Sequence, residues 1–282
     1  MLIVVASLAV LIGVSLGLLG GGGSILAVPV LTYAAGLTAK EAIATSLLVV
    51  GITSGVALIS HAKRGNVEWR TGAIFSLTAM AGAYVGGLAA AWFSGTTLLL
   101  LFATMMVVTA VAMFRGKGHL QGKEADDKPL PIALVIGEGL LVGAVTGLVG
   151  AGGGFLVVPA LVLLGGMPMH KAVGTSLMVI TLKSFAAFAG HASHVSIDWS
   201  LAALVTAAAV GGSFVGAAFA KRVPAELLRK IFAGFVLAMA GYVIWRESGL
   251  MPALSVVGVS SLLIAWMHWQ KTLSRSPAKL VP

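Results

Sequence analysis

Two glycine-rich runs contain the backbone best suited to bind a ligand in this sequence. The first run consists of Gly20, Gly21, Gly22, Gly23 and Ser24, and the second consists of Gly150, Ala151, Gly152, Gly153 and Gly154. Glycine lets the backbone leave helical geometry and approach a ligand closely. The amides that open the short segment after each run are unpaired and carry the positive end of a helix dipole, so they attract anions. We predict two anion-binding turns; the alternative is that the glycines only permit a tight hairpin and close helix packing.

A lysine and a glutamate lie within apolar stretches, where a charged group is costly. Lys183 lies deep in the stretch 171–191, and Glu138 lies in the stretch 131–149. A cation at the centre of a bilayer costs about 3 kcal/mol on insertion scales, so Lys183 must face a partner or a watery cavity. We expect Lys183 to neutralise an anionic substrate, with Glu138 as a coupling proton site. The alternative is a structural ion pair between Lys183 and Glu138.

Four hydroxyl side chains and two histidines follow the glycine runs at matching positions. They are Thr45, Ser46, His61, Thr175, Ser176 and His191. The hydroxyls could donate to substrate oxygens or bond back to helix carbonyls. The histidines could act in gating or proton relay, although histidines bonded to backbone carbonyls are favoured. We predict no metal site and no cofactor, because the chain has no cysteine and its histidines are too sparse for metal ligation.

The elements that position these residues must cross a membrane. Of the 282 residues, 59% are hydrophobic and 10% are charged, whereas soluble domains have about 45–50% apolar and about 25% charged residues. This composition excludes an ordinary water-soluble enzyme. The net charge of +9 could suggest a nucleic-acid binder, but the lysines and arginines fall between apolar runs, as in multispanning proteins. We expect a lipid bilayer and a small anion as partners and no nucleic acid, with monomer and homodimer both open.

The sequence repeats itself, without a gap, at an offset of 130 residues. The stretch Gly13–Phe102 lies over Gly143–Phe232, with both glycine runs, Thr-Ser-Leu and a histidine in register. Such repeats are typical of secondary transporters. The predicted parts are a first membrane repeat at 1–115, a cytoplasmic linker at 116–130, a second repeat at 131–246, an additional transmembrane helix at 250–269 and a cytoplasmic tail at 270–282.

Each repeat is predicted to contain five apolar segments, of which the second is too short to cross a membrane. The segments are 2–20, 24–36, 41–61, 70–93 and 96–115, followed by 131–149, 154–166, 171–191, 199–220 and 226–245. Thirteen residues form a helix of about 20 Å, against a hydrocarbon core of about 30 Å. Pro29 and Pro159 interrupt these segments further. Each short segment is expected to be half of a re-entrant hairpin.

The distribution of positive charge predicts that the repeats are inverted. The loop 62–69 carries Lys63 and Arg64, whereas the matching loop 192–198 has no lysine or arginine. By the positive-inside rule the N-terminus is outside and the C-terminus is cytoplasmic. The predicted fold is an all-α integral membrane protein with two inverted-topology repeats, paired re-entrant half-helix hairpins and one extra C-terminal helix. The two glycine turns would then face each other at mid-membrane across one site.

The paired glycine motif makes the chain similar to a known family. Gly17-Leu-Leu-Gly-Gly-Gly-Gly-Ser-Ile-Leu-Ala-Val-Pro29 is echoed by Gly147-Leu-Val-Gly-Ala-Gly-Gly-Gly-Phe-Leu-Val-Val-Pro159, and Thr-Ser-Leu follows each. Over nearly its whole length the chain resembles the TauE/SafE family of sulfite exporters. The resemblance implies a multi-pass protein of the prokaryotic inner membrane that moves sulfite, sulfoacetate or other sulfonates, commonly outward. It extends to both glycine runs, both prolines and the four hydroxyls, whereas Lys183 and Glu138 are inferred from burial alone.

We therefore predict a secondary transporter, an exporter of small sulfur-containing anions that works by alternating access, and not an enzyme. Energy could come from the membrane potential, at about 2.3 kcal/mol per charge per 100 mV, or from a proton on Glu138. The alternatives are an anion channel of the same architecture and a transporter of non-sulfur carboxylates. An intramembrane enzyme would need a nucleophile–base pair or metal ligands, and the sequence has none with recognisable spacing.

Overall fold

The computed structural model describes residues 2–115, 132–150, 154–163, 167–219 and 225–248. In these ranges the secondary structure is helical, and no strand is found. Three predicted parts lie outside the described residues: the linker 116–130, the additional helix 250–269 and the tail 270–282.

The helices follow the predicted segments in both repeats. The first repeat forms α1 (Leu2–Leu19), a 3-10 helix (Gly20–Leu26), α2 (Ala27–Pro29), a π-helix (Val30–Ala34), α3 (Ala39–Ala62), α4 (Trp69–Ala89), a second 3-10 helix (Ala90–Trp92) and α5 (Gly95–Arg115). The second repeat forms α6 (Ile132–Val149), α7 (Gly154–Leu163), α8 (Met169–Ala192), α9 (Trp199–Phe219) and α10 (Ala225–Ser248). The short second segment of the first repeat is thus a series of 3-10, α and π turns, and that of the second repeat is a single short helix.

Four helices in the described ranges are long and apolar enough to cross a membrane. They are Ala39–Ala62, Trp69–Trp92, Lys171–Ala192 and Trp199–Phe219. Apolar side chains such as Leu77 and Val85 on α4 are mostly exposed, which suits a helix surface in contact with lipid rather than water. Trp92 at the end of this span and Trp199 at the start of α9 are also exposed, as expected of an aromatic belt at the membrane interface.

Helices α1 and α9 pack backbone against backbone. A Cβ at Gly212 would lie 2.2 Å from the carbonyl oxygen of Val10, and one at Gly216 would lie 2.1 Å from that of Val14. No side chain larger than hydrogen fits at such a separation. Since residue numbers increase together along the two helices, α1 and α9 run parallel, with small residues at the interface as in many membrane helix pairs.

Helices α4 and α6 make the same contact at the matching positions of the repeat. A Cβ at Gly82 would lie 2.2 Å from the carbonyl oxygen of Leu140, and one at Gly86 would lie 2.2 Å from that of Ala144. At the offset of 130 residues, Gly82 and Gly86 match Gly212 and Gly216 of α9. At the same offset, Val10 and Val14 of α1 match Leu140 and Ala144 of α6. The two interfaces are therefore equivalent, and each joins a helix of one repeat to a helix of the other.

Helices α3 and α8, which occupy equivalent places in the two repeats, cross in antiparallel directions. A Cβ at Gly51 would lie 3.4 Å from the ring of Phe185, and one at Gly55 would lie 3.3 Å from Cγ2 of Thr181. Residue numbers rise along α3 as they fall along α8. The offset exchanges these two contacts, because Gly51 matches Thr181 and Gly55 matches Phe185. The crossing therefore has local pseudo-twofold symmetry.

The two repeats differ in one interface, because α4 packs more closely against α8 than the matching helix α9 packs against α3. Glycines allow close approach along this interface at Gly72, Gly87 and Gly190, and Gly174 of α8 packs against the backbone of Asn66, just before α4. The matching positions between α9 and α3 hold Ala202, Ala217, Ala44 and Ser60 instead. Lys171 of α8 also forms an ion pair with Glu68, which immediately precedes α4. The contact between α4 and α8 is accordingly more extensive than the contact between α9 and α3.

Candidate functional site

Lys183 lies on α8 at the level of the crossing with α3, two residues from each of the α8 contact residues Thr181 and Phe185. Because an α-helix has about 3.6 residues per turn, its side chain leaves α8 on the side away from these contacts and reaches α6. Its side chain is 1% exposed. The ammonium nitrogen Nζ donates to the hydroxyl of Thr146 on α6 at 2.8 Å, and Thr146 donates in turn to the carbonyl of Val142 at 2.7 Å. Among the described residues this neutral hydroxyl is the hydrogen-bond partner of the ammonium.

The ion pair with Glu138 that was the alternative for Lys183 is not formed in the described part of the chain. Glu138 lies eight residues before Thr146 on α6, which is about 12 Å along the helix axis at about 1.5 Å per residue. Glu138 is half-buried. The Lys183 side chain therefore has no carboxylate to balance its charge within the described residues, and a buried cation without a counter-charge attracts an anion.

The first glycine run is helical and not the open turn that its composition predicts. Gly20–Leu26 forms a 3-10 helix, in which N–H groups bond to carbonyls three residues earlier. Fewer free amides remain there than the prediction assumed. A Cβ at Gly23 would lie 2.3 Å from the backbone nitrogen of Leu16 and 2.8 Å from the carbonyl oxygen of Ile12. The chain therefore folds back against α1 where only glycine fits, and Ser24 beside it is buried.

The second glycine run begins at the C-terminal end of α6. Gly150 has a positive φ of 70°, a conformation that glycine adopts without strain, and its N–H bonds to the carbonyl of Thr146 at 3.0 Å. A Cβ here would lie 2.1 Å from Cγ2 of Ile43 on α3. Thr146 thus links this turn to Lys183, because its carbonyl bonds to Gly150 and its hydroxyl accepts from the ammonium. The next residues of the run, Ala151, Gly152 and Gly153, lie outside the described residues, and α7 begins at Gly154.

Three of the four predicted hydroxyls have partners within the protein. Ser46 lies within 2.8 Å of the carbonyls of Ile43 and Gly150. Ser176 donates to the carbonyl of its own helix at Val173. Thr175 accepts from the backbone N–H of Glu68 at 2.9 Å, and Thr45 is buried. Bonding back to helix carbonyls, the alternative for these residues, therefore holds for Ser46 and Ser176.

The two predicted histidines differ in their surroundings. His191 is buried, and its Nε2 lies 2.8 Å from the carbonyl oxygen of Gly147 on α6. His61 is half-buried, and its Nδ1 has no hydrogen-bond partner among the described residues. The favoured interpretation, a histidine bonded to a backbone carbonyl, holds for His191. In the described ranges no group of three histidine or acidic side chains is placed to hold a metal ion.

The sequence analysis did not single out two buried serines. Ser54 on α3 and Ser184 on α8 are fully buried, and neither hydroxyl has a hydrogen-bond partner in the described part of the chain. The offset of 130 residues matches one with the other. This correspondence is the signal that could have found them, and Ser184 lies close to Gly51, one of the contact glycines of α3.

Comparison with known proteins identifies the same class of protein along most of the chain. A family model described as sulfite exporter TauE/SafE matches residues 5–243. A "Probable membrane transporter protein" of Xylella fastidiosa strain Temecula1 is 37% identical over 241 residues, which cover 84% of this chain and 92% of that protein. The "Probable membrane transporter protein YunE" of Bacillus subtilis is 28% identical over 249 residues, which cover 80% of this chain and 91% of that protein. No solved structure matches the chain at a significant level.

The long apolar helices, their exposed apolar surface and these relatives agree on a multi-pass membrane protein of a transporter family. The match to the family model extends from α1 into α10 and includes both glycine runs and Lys183. The chain belongs to the TauE/SafE sulfite exporter family.

Proposed function

We propose that this protein is a secondary transporter that exports small sulfur-containing anions, such as sulfite, sulfoacetate or other sulfonates, across the prokaryotic inner membrane. The observation that carries the proposal is Lys183, a buried lysine whose partner in the described residues is the neutral hydroxyl of Thr146. A small anion that enters this centre supplies the missing counter-charge. The transporter family and the names of the relatives support the transport activity.

The proposed architecture has two inverted repeats with re-entrant hairpins, the N-terminus outside and the C-terminus in the cytoplasm. Three observations support it. Equivalent helices α3 and α8 cross antiparallel, as inversion requires, and the offset exchanges their contacts. The chain at Gly23 folds back on α1. The 3-10 helix Gly20–Leu26 also packs against α7, so the short segments of the two repeats meet inside the protein.

The proposed mechanism is alternating access around Lys183. The pairs α1–α9 and α4–α6 are in backbone contact, so each pair moves as one unit that contains helices from both repeats. The α3–α8 crossing is less tightly packed, because an added Cβ would lie 3.4 Å from its nearest neighbour at Gly51 and 3.3 Å at Gly55, against 2.2 Å at Gly212. Rocking of the two units about this crossing exposes the anion first to one side of the membrane and then to the other. The energy for transport comes from the membrane potential or from a proton that Glu138 carries across the membrane.

Flux measurements in proteoliposomes test this function. We expect saturable uptake of sulfite and of a sulfonate such as sulfoacetate, with mutual competition and with a rate that depends on an imposed voltage. Acetate, a small anion without sulfur, should compete weakly. Protein-free liposomes provide the background.

Two outcomes of the same experiment would contradict the proposal. Ion conductance without saturation, far above the turnover of a transporter, would indicate an anion channel. Saturable flux that prefers carboxylates to every sulfur anion in the panel would indicate a carboxylate transporter.

A further inference from the structure

Ser54 and Ser184 are exceptional among the buried hydroxyls of their helices. A serine or threonine in a helix usually donates to a carbonyl three or four residues earlier. Thr53, adjacent to Ser54, donates to Val49 at 2.7 Å, and Thr181, close to Ser184 on α8, donates to Leu177 at 2.7 Å. Ser54 and Ser184 are fully buried, as Thr53 is, but they donate to nothing in the described residues. Each therefore retains a hydrogen-bond donor that the described part of the chain does not use.

An unused hydroxyl inside a protein carries a cost. Burying a polar group without a hydrogen bond is unfavourable, and substitution by alanine would remove that cost. The repeat nevertheless places an unpartnered serine at both matching positions, Ser54 and Ser184. Buried unpartnered groups in native structures require an explanation, such as a functional role or an absent ligand.

The α3–α8 crossing also leaves space for a small group beside Ser184. A Cβ at Gly51 would lie 3.4 Å from Cβ of Ser184, which is an ordinary van der Waals contact. By contrast, a Cβ at Gly212 in the α1–α9 interface would lie 2.2 Å from a backbone oxygen. Packing therefore does not require glycine at Gly51 as it does at Gly212. The missing side chain at Gly51 leaves room next to Ser184, and Ser54 lies between the two contact glycines on α3.

We infer that Ser54 and Ser184 are ligands of the transported anion, and that each donates a hydrogen bond to one of its oxygens. This inference rests on the proposed function, because it adds ligands for the same anion that Lys183 neutralises. Ser184 is the residue next to Lys183 on α8, and Ser54 is the matching residue of α3, so the proposed site takes its three donor groups from these positions. Sulfite and the sulfonate group each have three oxygens, whereas a carboxylate has two. The serines therefore favour the sulfur anions over carboxylates.

Isothermal titration of the purified full chain with sulfite tests the inference. We expect Ser54→Ala and Ser184→Ala each to raise the Kd for sulfite about tenfold or more, because hydrogen bonds to charged groups are among the stronger ones. The effect on acetate binding should be smaller. Thr53→Val is the matched control: its hydroxyl is satisfied within its own helix, so the Kd for sulfite should not change.

Thermal unfolding without substrate separates a ligand from a structural residue. If the serines bind substrate, both alanine variants should unfold at the wild-type temperature or above it, since an unsatisfied hydroxyl has been removed. Lower unfolding temperatures with an unchanged Kd would assign the serines a structural role and overturn the inference. Wild-type affinity in both alanine variants would overturn it while the transport function stands. A wild-type protein that binds no sulfur anion would overturn both proposals.

Discussion

Lys183→Met should abolish sulfite binding and leave the protein folded. Removing one partner of a buried charge pair costs about 2–5 kcal/mol, so a loss of about 3 kcal/mol raises the Kd more than about 100-fold. Methionine has a similar length and carries no charge, so the variant no longer buries an ammonium whose partner is a neutral hydroxyl. Replacing a buried charge by an apolar side chain is often neutral or stabilising. Isothermal titration with sulfite, together with thermal unfolding, measures both effects.

Lys171→Met is the matched control for this variant. Lys171 lies on the same helix but pairs with Glu68 and is partly exposed, so its loss should not change the affinity for sulfite. Surface ion pairs contribute about 0–1 kcal/mol, and the unfolding temperature should shift little. Unchanged sulfite affinity in Lys183→Met would show that Lys183 is not a ligand of the anion.

Gly212→Ala should destabilise the protein far more than Gly211→Ala, the same change one residue away. The new Cβ at Gly212 would lie 2.2 Å from the carbonyl oxygen of Val10, whereas one at Gly211 would meet nothing within 4 Å. The helices must separate to accept it, and overpacking of this kind costs about 1–3 kcal/mol. Gly211→Ala should be neutral or slightly stabilising, because alanine favours helix over glycine by about 1 kcal/mol. Thermal unfolding in detergent measures the difference.

The repeat extends this prediction to the other half of the protein. Gly82 in α4 matches Gly212, and a Cβ there would also lie 2.2 Å from a backbone oxygen, that of Leu140. Gly82→Ala should therefore lower the unfolding temperature by a similar amount. Equal unfolding temperatures for the Gly211 and Gly212 variants would mean that α1 and α9 are not packed backbone to backbone.

The sequence predicts the helices well because the apolar stretches leave few alternatives. Runs such as 41–61 and 171–191 became α3 and α8 with ends within two residues of the prediction. The first glycine run was predicted less well. Glycine tolerates both an open turn and a helix, and contacts with the backbone of α1, which sequence does not reveal, accompany the 3-10 geometry at Gly23.

The burial of the candidate site was predictable from the sequence, but its hydrogen-bond partners were not. The position of Lys183 in the middle of an apolar run predicts its burial, which the structure shows. Its partner was not predictable, because Glu138 and Thr146 lie on the same helix and only the register of α6 against α8 selects between them. Likewise, sequence alone cannot distinguish Ser54, whose hydroxyl has no partner in the described residues, from Thr53, whose hydroxyl bonds back to its helix.

The proposed alternating-access mechanism depends on the two repeats crossing the membrane in opposite senses. Single cysteines at Arg64, in the loop 62–69, and at His194, in the loop 192–198, test this directly, since the chain has no native cysteine. Both side chains are exposed. We expect a membrane-impermeant maleimide to label His194→Cys from outside intact cells and Arg64→Cys only after the membrane is permeabilised. Labelling of both cysteines from the same side would show that the repeats are not inverted.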